Sequence, residues 1–71
     1  MKEKALTPRW AVKVRADMAA YQIYQYEIAN EIGSSPTYIS GIMNGRRSDK
    51  KMKPQIIAAM KTLIERKRAN A

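Results

Sequence analysis

Between Ile32 and Thr37 the chain reads Gly33-Ser34-Ser35-Pro36, and these four residues constrain the fold more than any other stretch. Glycine ends a helix because it takes the left-handed backbone conformation without a Cβ clash. Ser35 is a good helix cap, and Pro36 suits a first helical turn, where its missing N–H has no partner to lose. One helix therefore stops at Gly33 and another starts at Pro36, with almost nothing between them. On the near side, Gln25 to Ile32 places Ile28, Ala29 and Ile32 on one helical face. On the far side, Tyr38, Ile39, Ile42 and Met43 form the less polar side of a helix that runs to about Asn44, where Gly45 stops it.

The rest of the chain reads as helix as well. Thr7-Pro8 is a start signal, and Trp10, Ala11, Val14, Met18 and Tyr21 keep helical spacing, which predicts a helix over 8–21. Pro54 is expected to open a last helix over 54–68, striped by Ile56, Ile57, Met60, Leu63 and Ile64. Between them, Arg46-Arg47-Ser48-Asp49-Lys50-Lys51 reads as a basic loop, and residues 1–7 as a flexible lead-in. With no strand-like alternation and no repeat, the expected class is all-α, a single domain over residues 1–71.

At 71 residues, with no cysteine and no histidine, disulfides and Cys/His zinc sites are excluded as staples. A compact helical core has to hold the fold. The same absence removes His- and Cys-based nucleophile pairs, the acids are scattered, and no phosphate-binding glycine loop occurs, so no enzyme and no cofactor are expected. No apolar run is long enough to span a bilayer, and MKEKALTPRW has no apolar segment behind its lysines. No membrane association and a cytoplasmic location are the expectation.

Charge is concentrated at one end. Residues 1–45 carry a net of +1, whereas residues 46–71 carry nine Lys/Arg against two acids, a net of +7. Such a field draws polyanions, and at a pI near 10.1 nucleic acid is favoured over solubility alone as its explanation.

The stretch QYEIANEIGSSPTYISGIMNGRR resembles the Cro/phage-repressor (Xre-type) helix-turn-helix family. The matching positions are Gln25, Ile28-Ala29, Ile32-Gly33, Ser35, Tyr38-Ile39-Ser40, Ile42 and Asn44-Gly45-Arg46, without gaps. The resemblance implies a lambda-repressor-like domain of four to five helices, with the helix-turn-helix at 25–47. It also implies a DNA-binding transcriptional regulator, a Cro-like repressor from a phage or other mobile element. In that family the second helix of the motif lies in the major groove. Carried over, the base-contacting set is Pro36, Thr37, Ser40 and Gly41. Gln25, Tyr38, Asn44, Arg46, Arg47 and Lys50 become the phosphate-contacting set. Partners would be double-stranded DNA and a second copy of the chain, since family members commonly bind paired half-sites; the apolar remainder of the last helix is the expected dimer face.

Four departures qualify the resemblance. Tyr24 replaces the usual capping Ser or Thr, and Ser34 replaces an apolar residue. Met43 replaces an acid, leaving Arg15 without its customary ion pair and open to solvent or a phosphate. Gly41 stands where a long base-reading side chain is common, so the base-facing set has short reach and holds no Arg, Asn or Gln. A close backbone approach and a merely tolerated small residue explain Gly41 equally well.

That bland surface, with Tyr21, Tyr24 and Tyr26 clustered near one helix junction, keeps a second class open. This is an antirepressor that binds a repressor protein, although a half-buried tyrosine rim is the preferred reading. An excisionase or other architectural factor is a third. Trp10 reads as core before binding aromatic. The basic loop reads as a backbone grip before a solvated loop. Arg66-Lys67-Arg68 reads equally as a phosphate contact or a soluble tail.

Overall fold

The computed structural model describes residues 7–70. The lead-in expected over 1–7 therefore lies outside the described residues except for Thr7. Four helices follow in order: α1 (Arg9–Tyr21), α2 (Gln25–Ile32), α3 (Pro36–Met43) and α4 (Met52–Ala69). No strand occurs among the described residues, so the protein is all-helical.

Helix α4 is the element around which the others assemble. It packs against α2 and α1, and α3 packs against α2. Ala11 and Val14 come into the core from α1, Ile28 and Ala29 from α2, and Ile39, Ile42 and Met43 from α3. From α4 come Met52, Ile56, Ala59, Met60 and Leu63, and Ile23 closes the core from the α1–α2 link. No polar or charged side chain is buried among the described residues. The core is thus held by apolar burial, about 1.5–3 kcal/mol for each large side chain removed from water. Ile32, expected to point inward, is half-buried against this core, and Ile57, expected in the apolar stripe, is 44% exposed.

The first three helices end in the same way. The Ile23 N–H donates to the Met18 carbonyl at 2.8 Å, Ser34 N–H to Ala29 at 2.8 Å, and Arg46 N–H to Gly41 at 2.9 Å. These six-residue closures each need a left-handed residue one step earlier. Gly33 (φ +83°) supplies one, and no neighbour would meet a Cβ there, so its backbone angle alone calls for glycine. At α1 the same position is Gln22, at φ +55°, a conformation that costs a residue with a Cβ roughly 1 kcal/mol.

Two helix starts differ from expectation. Pro8 is extended (ψ 153°) and precedes α1 instead of opening it; its carbonyl accepts from Ala11 and Val12, and Thr7 caps nothing. Helix α4 begins at Met52, two residues before Pro54, because Met52 is drawn into the core. Pro54 is tolerated there since the first N–H groups of a helix have no internal partner.

Candidate nucleic-acid interface

Helix α3 starts where the sequence indicates: Ser35 Oγ accepts from the Tyr38 N–H at 3.1 Å, with Pro36 in the first turn. Burial of Ile39, Ile42 and Met43 leaves Pro36, Thr37 and Tyr38 exposed and Ser40 and Gly41 half-buried. Thr37, Ser40 and Gly41 line one recess of about 380 Å³ together with Arg46 and Arg47. The structure therefore brings three residues of the base-facing set together with two of the expected phosphate set. The side chain of Arg47 folds back over α3, its guanidinium carbon 5.2 Å from the centroid of the Tyr38 ring.

Two other members of the phosphate set, Asn44 and Gln25, are half-buried. The Asn44 side-chain oxygen accepts from Arg15, and the Asn44 amide donates to Ser40 Oγ at 3.3 Å. Arg15, left without an acid by Met43, thus donates to Asn44 and remains exposed. Gln25 is half-buried in the first turn of α2, at a helix pole that already holds an anion. Glu27 Oε1 accepts from the Tyr24 N–H at 2.9 Å and Oε2 lies 3.2 Å from Lys67 Nζ. Tyr24 offers no side-chain cap, so Glu27 replaces it with the reciprocal half of a capping box.

The Tyr24 N–H, helped by Lys67 and opposed by partial burial, holds the Glu27 carboxyl below its ordinary value of 4.5. A depressed folded-state value contributes stability above the unfolded value, lost as pH falls through the folded one. Thermal melts across this range are expected to place Glu27→Gln below the parent at neutral pH, with the gap closing in strong acid. An unchanged gap in acid would mean that the carboxylate charge is not what holds this helix start.

The end of α4 serves the same junction. Arg66 forks onto Glu31 at 2.8 and 3.4 Å, Lys67 reaches Glu27, and Arg68 lies 6.0 Å over the Tyr21 ring. Exposed pairs of this kind contribute only about 0–1 kcal/mol each, so they orient more than they stabilise. The basic end of α4 thus reaches α2 and Tyr21, with Arg66 and Arg68 still exposed. Tyr24 and Tyr26 project beside it, both more than half exposed, with rings parallel to within 7° at 5.7 Å.

The cations of the loop after α3 and of the start of α4 are placed differently. Arg46, Arg47, Lys50, Lys51 and Lys53 are exposed and form no ion pair among the described residues. Lys51 and Lys53 stand at the start of α4, whose first turn holds no acid. Positive charge at the positive end of a helix dipole is unfavourable until an anion arrives. Asp49, the acid within this loop, accepts from Trp10 Nε1 at 2.6 Å, which fastens the loop to α1. No local pattern announces this contact; the lone acid in a basic run is its one signal along the chain. Trp10 is thus half-buried, with its polar edge committed to Asp49.

No helix of the described residues is long and apolar enough to cross a membrane. No family model matches the chain, and neither does any curated protein or solved structure.

Proposed function

We propose that the protein is a DNA-binding transcriptional regulator, a Cro-like repressor of phage or mobile-element origin, in which α3 enters the major groove of double-stranded DNA. One observation carries this reading: Thr37, Ser40 and Gly41 share a recess with Arg46 and Arg47. Short groups suited to base edges and cations suited to phosphates are thereby adjacent on the exposed side of one helix. Arg46 and Lys50, with Lys51 and Lys53 behind them, hold the backbone. The protein acts in the cytoplasm by occupancy, without catalysis or a cofactor. A second copy docks through the uncovered side of α4, where Ile57 is exposed above a groove lined by Trp10, Val14, Met60 and Ile64.

Selection from a random duplex library tests the reading. A recovered palindrome is the expected outcome, reporting base readout and a two-fold dimer together. A library with no enriched sequence, and no duplex binding at low salt, would remove it.

The paired, exposed Tyr24 and Tyr26 favour one other reading, an antirepressor whose target is a repressor protein. Its mark is co-purification with a larger repressor and loss of that repressor's duplex binding, both undone in a Tyr24→Ser, Tyr26→Ser double variant.

A further inference from the structure

We propose that Arg47, from the loop after α3, is the side chain that reads sequence, and that it recognises guanine through O6 and N7. The inference rests on the reading of α3 as the groove-entering helix and assigns Arg47 to bases instead of phosphates. Among Pro36, Thr37, Ser40 and Gly41, none has two donors that could grip one base edge. The helix is nonetheless built to hold such a group. Gly41 leaves an open place on its surface, and a Cβ there would lie 3.4 Å from both Cδ and Nε of Arg47. The arginine stem thus lies against the glycine, and a side chain at position 41 longer than a methyl would have to push it aside.

The backbone delivers it there. The Arg46 N–H bonds back to the Gly41 carbonyl at 2.9 Å, and Gly45 (φ +78°) reverses the chain, returning residue 47 over residue 41. Tyr38 supports the guanidinium from below at 5.2 Å. Stacking on an aromatic face leaves the N–H edges of the fork available, and two parallel donors match the two acceptors of guanine. A phosphate contact requires only charge. Arg46, in the same recess but outside both the Gly41 contact and the Tyr38 stack, fits that role.

The test measures affinity by fluorescence anisotropy on the selected duplex and on duplexes changed at each guanine. The parent is expected to favour guanine at one position by about tenfold or more. Arg47→Ala should abolish that preference. Gly41→Leu keeps every charge but pushes the arginine stem aside; it should abolish the preference and leave the salt slope unchanged. Arg46→Ala should weaken all duplexes equally and reduce the salt slope by about one. Circular dichroism checks that each variant is folded, and Arg47→Ala, altering an exposed side chain, decides alone if Gly41→Leu is not. A preference for guanine that survives Arg47→Ala, or a selected motif without guanine, overturns the assignment while leaving DNA binding in place. A parent that binds no duplex overturns both.

Discussion

Ile39→Ala is expected to destabilise the domain by about 3 kcal/mol and to lower its melting temperature by about 12–24 °C. Ile39 is fully buried on α3. Truncation loses its transfer free energy and leaves a cavity, together about 2–5 kcal/mol, while the better helix propensity of alanine returns only about half a kcal/mol. For 71 residues the whole margin is about 4–10 kcal/mol, so one deletion removes a large part of it. Urea and thermal unfolding followed by circular dichroism measure the loss. Val12→Ala, at an exposed site on α1, is the control and should shift stability by no more than about 1 kcal/mol. Equal effects at the two sites would contradict the core described here.

Raising salt from 50 to 200 mM is expected to weaken duplex binding by about 150-fold. If Arg46, Lys50, Lys51 and Lys53 each neutralise one phosphate, the slope of log affinity against log salt is about −3.6. For a two-fold pair on one site the slope doubles, and the loss is about 2 × 10⁴-fold. The cations at the end of α4 are left out of this count because Arg66 and Lys67 face Glu31 and Glu27 and Arg68 covers Tyr21. A titration series at rising salt gives the slope directly. A slope near zero would sink the phosphate role of the loop, and one much steeper than −7 would bring the α4 end back into the contact surface.

Much of the fold was legible along the chain because its signals are local. Gly33, Ser35 and Pro36 act through their own backbone angles and nearest N–H groups, so α2, the turn and α3 appear where the sequence puts them. The starts of α1 and α4 were less legible. Proline fits φ both just before a helix and inside its first turn, and only the pull of the core on Met52 decided where α4 begins. The candidate site divides along the same line. Thr37, Ser40 and Gly41 share a face because they are three or four residues apart on one helix. The partnerships of Asn44 with Arg15, Asp49 with Trp10, and Glu27 with Lys67 span 29 to 40 residues, and no local pattern foretells them.

The sequence by itself determined an all-helical chain, the helix-turn-helix at its centre, and a positive field gathered after residue 45. Helical periodicity, caps and charge are properties of neighbours along the chain, and they survive without any knowledge of packing. Only the tertiary structure decided which cations pair with the acids of α2 and that Arg46 and Arg47 lie beside α3. It alone decided that Gly41 faces Arg47. These outcomes depend on α4 packing against α1 and α2 and on the chain reversing at Gly45, and such long-range geometry is fixed only once the core has formed.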